Sequence, residues 1–226
     1  MPMMISPGYP PRFSMSAVFV DGGYIDKLVT KRFPGKQLAV RPFLGQLLDI
    51  LNSGRAPDFL KAVRTYWYDA VPEDTEGFPD HLKEAVKKNV RFLDYIDEHC
   101  NNVDVKRGLV KYSIKEGLRQ KGVDVFMGAD IALTAWTGRV SDIVLVAQDG
   151  DFVPSVTVAK SAMVQVHLIT DSEGLSLDLK KACDTFYLKL GDWLQQSKLI
   201  HDPSEITDGG GVPSSLSSLP QRTSTS

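Results

Sequence analysis

The stretch VLVAQDGDFVPSV, Val144 to Val156, decides the fold. With Asp142 and Ile143 before it, it opens on an apolar run without polar alternation, as expected of a strand covered on both faces. Asp149 and Asp151 then straddle a glycine, and Phe152 follows. The next segment, VPSVTVAKSAM, reads as a helix with Pro154 near its first turn, where a missing N–H costs nothing. A doubly covered strand leading into a helix belongs to an α/β protein with a mainly parallel sheet.

Working outward, the same alternation recurs. SAVFVDG (16–22), KAVRTYWYDA (61–70), VDVKRGLVKY (103–112), VQVHLIT (164–170) and DTFYLKL (184–190) read as strands, rich in β-branched and aromatic residues. Between them, VRPFLGQLLDILNSG (40–54) spaces Phe43, Leu44, Leu47, Leu48 and Leu51 at helical intervals. HLKEAVKKNVRFLDYIDEHC (81–100) carries an apolar stripe from Leu82 to Ile96 and a polar face with Lys83, Lys87, Lys88 and Arg91. GADIALTAWTGRV (128–140) reads as a helix starting near Ala129–Asp130, with Trp136 in the core, and GDWLQQSKL (191–199) as a last helix. The expected architecture is a three-layer α/β/α sandwich over residues 16–200. Residues 1–15, rich in Pro, Gly and Met, read as a disordered leader. Residues 206–226, rich in Gly, Ser, Thr and Pro, bury too little apolar surface to order and read as a disordered tail.

Bulk properties exclude several classes. The net charge of −2 gives no global attraction to nucleic acid or anionic membrane, so any basic surface must be local. No apolar run approaches the ~18 residues of a membrane span. The two cysteines, Cys100 and Cys183, have no metal spacing and read as reduced thiols of a cytoplasmic protein. His81, His99, His167 and His201 do not pair at metal spacing, and Ser155 and Ser161 lack His–Asp partners. Phosphate-binding glycine motifs are absent. A phosphatase with an aspartate nucleophile would want D-x-D-x-T after the first strand, whereas DGGYI offers only Asp21.

In open parallel sheets the ligand crevice lies beyond the carboxyl ends of the strands. Asp21 follows one apolar strand, and Asp149 and Asp151 follow another. Asp124 and Asp130 lie in KGVDVFMGAD. Each has a plain alternative: a turn at Asp21, a helix cap at Asp130, an N-cap and turn at Asp149–Asp151, a strand-edge charge at Asp124. Taken together, like charges at strand ends repel, and a hard divalent cation such as Mg²⁺ removes the conflict. Such an ion can also assist in-line displacement at a phosphodiester.

VFVDGGYI, TYWYDA, KGVDVFMGADIALTAW, VLVAQDGDFVPSV and ACDTFYLKL, in that order, resemble the NYN domains of the LabA-like group, within the PIN-like nuclease superfamily. The resemblance spans about residues 16–190. It implies a PIN-like α/β fold, Mg²⁺ or Mn²⁺ held by acidic residues, and hydrolysis of RNA. Carried over by motif, Asp21, Asp130, Asp149 and Asp151 are the catalytic and metal-binding acids, with Asp124 a further metal ligand. Tyr24 stands where many relatives have asparagine, and Ala147 and Gln148 where Ser-Gly is usual. Ala147 and Gln148 favour the alternative, a non-catalytic RNA- or protein-binding regulatory module that keeps the acidic pocket.

The partner expected is single-stranded or flexible RNA, with homo-oligomerisation left open. KRGLVKYSIKEGLRQKG forms a local basic stripe: Lys106, Arg107, Lys111, Lys115, Arg119 and Lys121 against one glutamate. Such residues supply phosphate contacts. Tyr112 is placed to stack on an unpaired base. The plain reading of this stretch is a solvated loop or hairpin.

Overall fold

In the computed structural model the described residues are 12–205, apart from 54, 56–57, 73–74, 77 and 114–116; the side chains of 81 and 109–121 also lie outside the description. The leader up to residue 11 and the tail from 206 are therefore not described. Arg12–Met15, assigned to the leader from composition, instead begin the first strand.

In chain order the elements are β1 (Arg12–Asp21), α1 (Gly22–Arg32), β2 (Gln37–Leu38), α2 (Val40–Gln46), α3 (Asp49–Asn52), β3 (Asp58–Pro72), α4 (Asp80–His99), β4 (Val103–Ser113), β5 (Gly117–Lys121), α5 (Val123–Trp136), β6 (Asp142–Val146), α6 (Val153–Ser161), β7 (Gln165–Ile169), α7 (Leu177–Ala182), β8 (Thr185–Tyr187), α8 (Leu190–Gln196) and β9 (Ile200–His201). Seven strands form one sheet in the order β5-β4-β3-β1-β6-β7-β8. All neighbours are parallel except β5, which folds back antiparallel on β4. The chain builds outward from β1 through β3 and β4, then returns to β1's other edge with β6. The strand order therefore reverses between β1 and β6, and a ligand crevice opens at such a point.

Strand side chains alternate between two cores, as the two-residue period requires. Val18, Val20, Trp67, Val144 and Val146 face a core closed by α1, α2, α4 and α8. Ala17, Phe19, Tyr68, Ile143 and Leu145 face a second core closed by α5, α6 and α7. This is the expected three-layer sandwich. Cys100 and Cys183 sit in different cores and form no disulfide with each other. His167 is fully buried, its Nε2 2.7 Å from Asp142 Oδ1 and its Nδ1 2.7 Å from Thr185 Oγ1, a structural role as its alternation suggests.

Three local expectations change. The Asp-Gly-Gly after β1 is not a turn: Asp21 caps α1 by accepting from Tyr24 N at 3.0 Å. The segment 40–54 is two short helices, α2 and α3, not one. Helix α5 starts at Val123 rather than near Ala129, because Gly122 adopts φ +88° and turns the chain directly into the helix. Among the described residues no helix is long and apolar enough to cross a membrane.

Gly22 lets α1 start against β3. A Cβ there would lie 2.5 Å from Trp67 Nε1 and 2.7 Å from the carbonyl oxygen of Tyr68, and Trp67 is fully buried. Gly22→Ala is therefore expected to destabilise the fold by about 1–3 kcal/mol, the usual cost of overpacking. Urea unfolding checks this, and an unchanged midpoint would contradict the close approach.

Candidate active site

The crevice between β1 and β6 collects acidic side chains from three places. Asp21 ends β1. Asp149 caps the 3₁₀ turn after β6 and Asp151 lies within it, Asp149 Oδ1 accepting from Asp151 N at 3.1 Å. Asp124 stands in the first turn of α5, where a carboxylate also complements the helix dipole. Their fields overlap. Burial, opposed by the bond from Tyr24 N and reinforced by the charges of Asp124 and Asp149, pushes the Asp21 carboxyl from 3.8 up to about 6. Burial, with the charges of Asp149 and Asp151, also raises Asp124. Lys27, exposed on α1, is the cation whose charge opposes both shifts. The plain alternative for Asp149, an N-cap, holds as well, and Asp21 likewise caps a helix rather than forming a turn, so each is a cap while sitting in the cluster.

Asp130 is not brought into this group. It stands six residues after Asp124, about 9 Å further along α5 and turned to another side of the helix. There its Oδ2 accepts from Tyr68 Oη at 2.7 Å and lies 3.8 Å from Lys106 Nζ. The expectation that Asp130 joins the other acids depended on a helix starting beside it. With α5 starting at Val123, Asp124 takes the position facing the crevice.

Two acids beside the crevice were not singled out from the sequence. Asp69, in TYWYDA, lies near the end of β3 and is buried. Burial, opposed by the Ala70 N–H bond at 2.7 Å and reinforced by the charges of Asp26 and Asp21, raises it from 3.8 to about 7. Asp26 is buried on α1. The signal for Asp69 was the one used for Asp21, a carboxylate at a strand end. The signal for Asp26 was weaker, since α1 was not read as a helix. Tyr24, the departure from the usual asparagine, is structural: its hydroxyl oxygen accepts from Asp171 N at 2.8 Å and tethers α1 to the end of β7.

The basic stripe divides across the sheet. Lys106 faces α5, its Nζ 5.6 Å from the Tyr66 ring centroid. Arg107 points the other way and pairs with Asp94 at 2.7 Å and Asp97 at 3.1 Å on α4. It is thus engaged in the fold rather than offered as a phosphate contact. The backbones of β4 and β5 pair Lys111 with Arg119, Tyr112 with Leu118, and Leu109 with Lys121. The side chains of Lys111, Tyr112, Arg119 and Lys121, and the whole of Lys115, lie outside the described residues.

The donors in the crevice are all carboxylate oxygens, the set a hard divalent cation prefers. Among the described residues no three His, Cys, Asp or Glu side chains stand close enough to enclose a metal ion. Mg²⁺ does not require such a cage, since it keeps several waters and takes one or two carboxylates directly. The Asp21 carboxyl is raised first by burial and then by the charges of Asp124 and Asp149, and a cation beside it would offset both. The residues fit the group in chemistry.

The family model for the NYN domain matches residues 16–190. No curated protein matches the chain. Among solved structures, the fold is similar to the crystal structure of a Vibrio parahaemolyticus protein of unknown function, at 16% identity and a TM-score of 0.50. That likeness covers 78% of this chain and 93% of the Vibrio chain.

The raised carboxyls of Asp21, Asp69 and Asp124 set the sign of a pH effect. A group that binds its proton more tightly in the folded state stabilises the fold most below its unfolded pKa, and loses that contribution as pH rises through its folded pKa. For Asp21 and Asp69 the window runs from about pH 4 to about pH 7. In EDTA the melting temperature is expected to carry a falling component across that window. Asp69→Asn should remove its upper part, between about pH 6 and 7. The difference between wild-type and variant melting curves over pH checks this; a difference that is flat with pH would contradict the burial of a charged Asp69.

Proposed function

The chain belongs to the NYN-domain family, part of the PIN-like nuclease superfamily, and on that footing we propose that it is a metal-dependent ribonuclease. The observation that carries the reading is the gathering of Asp21, Asp124, Asp149 and Asp151 where the strand order reverses, with the Asp21 and Asp124 carboxyls both raised by burial and like charge. The KGVD…D…DGDF pattern supports the LabA-like group within the family.

In this reading Asp21, Asp149 and Asp151 would hold Mg²⁺ or Mn²⁺, one or two of them directly and the rest through its waters, with Asp124 completing the acidic wall. When bound, the ion polarises the scissile phosphate and acidifies a water. The chain's own part is positional. The Tyr24 N–H fixes one oxygen of Asp21, and the Asp151 N–H fixes one oxygen of Asp149. Lys27 supplies a positive charge on the same side as the acids, where an RNA phosphate would need one. No side-chain base is required. Reduced, buried cysteines suit a cytoplasmic enzyme.

Ala147 bears on the binding-module alternative. It is fully buried, and it follows Val146, the register partner of Val20, so it stands beside Asp21 on the face covered by α5 and α6. A serine hydroxyl there would lie next to the Asp21 carboxylate, and its absence favours the binding module.

Asp149→Asn tests it. Asparagine keeps the cap on the 3₁₀ turn, being as good an acceptor there as aspartate. Cleavage of a labelled single-stranded RNA in Mg²⁺ should fall by more than the roughly 10–100-fold that loss of an outer partner of a metal costs. In EDTA the melting temperature should be unchanged or higher, because a like charge is gone. Cleavage at the wild-type rate would remove Asp149 from the site. Wild-type protein that shifts RNA in a gel with Mg²⁺, yet yields no product on long incubation, would support the binding module instead.

A further inference from the structure

Beside the carboxylates a cleft of about 300 Å³ opens between β4 and the first two turns of α5. Tyr68, Lys106, Arg107, Gly108, Val123, Phe126 and Asp130 line it, although the Arg107 guanidinium is turned to Asp94 and Asp97. Tyr68 is the register partner of Asp21, and Lys106 is the register partner of Tyr68. The cleft therefore lies one to two strand spacings, about 5–10 Å, from the acidic crevice. An RNA strand crossing the crevice would bring a neighbouring nucleotide to it.

The cleft has a floor and an aromatic wall. Gly108 carries no side chain where a Cβ would collide with Val123, so the start of α5 seats directly on β4. Phe126 is 56% exposed, an unusual position for a large apolar ring. It lies over Gly122, its ring 3.3 Å from where a Cβ on that glycine would stand. An exposed ring face beside a shallow pocket suits stacking of a planar base.

The polar groups form an ordered pair. Tyr68 donates to Asp130 Oδ2 and fixes the carboxylate, while Oδ1 makes no hydrogen bond among the described residues. A carboxylate offers about four acceptor sites, so both oxygens can still receive donors. Lys106 Nζ, 3.8 Å from the same carboxylate, places a donor next to these acceptors. Along its Watson–Crick edge guanine presents O6, N1–H and N2–H₂: acceptor, donor, donor. A donor beside a two-oxygen acceptor complements that order. Adenine offers donor then acceptor, cytosine donor then two acceptors, and uracil one donor between two acceptors. Unpaired bases are read on this edge in single-stranded RNA.

Resting on the ribonuclease reading, we infer that this cleft receives an unpaired guanine of the RNA beside the scissile phosphate. Phe126 stacks on the base, Asp130 accepts from N1–H and N2–H₂, and Lys106 donates to O6. The acid that the motif assigned to metal is thus a specificity residue.

The test is binding rather than cleavage. Fluorescence anisotropy of the full chain in EDTA compares a labelled octauridylate with the same strand carrying one central guanine. Wild type should bind the guanine strand roughly tenfold more tightly, in the range of one good bidentate base contact. Phe126→Ala should weaken both strands by about tenfold. Asp130→Asn should erase the preference, bringing the two strands to equal affinity. Lys106→Met, at a half-exposed surface position, should reduce the preference without touching the core. Equal affinity of wild type for the two strands, no binding of either, or a preference that survives both Asp130→Asn and Lys106→Met would overturn the inference. Because no metal is present, the two readings separate. Cleavage without a guanine preference overturns the cleft alone; a guanine preference in a wild-type protein that never cleaves overturns the nuclease alone.

Discussion

Carboxylates at the mouth of the β1–β6 crevice repel one another, and the rest of the structure is arranged around that repulsion. Asp21 sits at the end of a strand whose preceding residues, Val18 to Val20, are wholly buried, so it has little water with which to solvate a charge. Asp124 and Asp149 approach it from α5 and from the loop after β6. One N–H bond from Tyr24 and the charge of Lys27 offset only part of the cost. Side chains that merely capped helices would gain nothing from such company. A site meant to receive a doubly charged cation and a phosphate would.

The sheet order explains why the acids meet there. Strands on either side of the β1–β6 boundary lead away in opposite directions, so the loops after β1 and β6 diverge and leave a gap. Asp21 and the Asp149–Asp151 pair are the first carboxylates at the ends of the two central strands. Gly22, Gly108 and Gly122 keep the ground around them open: the first admits α1 against Trp67, the second seats α5 on β4, and the third starts α5 one residue after the glycine.

Much of this was legible in the sequence. The unbroken apolar run Ile143–Val146 marked a strand covered on both faces, and all its residues are buried. Alternating strands and helices implied the layers, and strand ends implied Asp21, Asp149 and Asp151 as neighbours. The failures have physical causes. Helix α5 is apolar on every side, with Met127, Ile131 and Ala135 buried while Val125, Leu133 and Trp136 are exposed, Trp136 to 70%. Such a helix has no amphipathic phase to reveal its start or its inner face. Its first residue was therefore misplaced, Asp130 was assigned to the wrong neighbours, and Trp136 was expected in the core. Arg107 was grouped with Lys106 because a run of charges looks like one surface. In a strand, adjacent residues face opposite layers, and α4 claims the arginine through Asp94 and Asp97.

The central claim is that the acids at the crevice share a cation and that Asp130 does not. A crystal soaked in Mn²⁺ and measured at the manganese edge tests it most directly. The expected result is an anomalous peak in the crevice beside Asp21 and Asp149. Saturating Mn²⁺ that leaves the crevice without a peak, or a peak coordinated by Asp130, would contradict it.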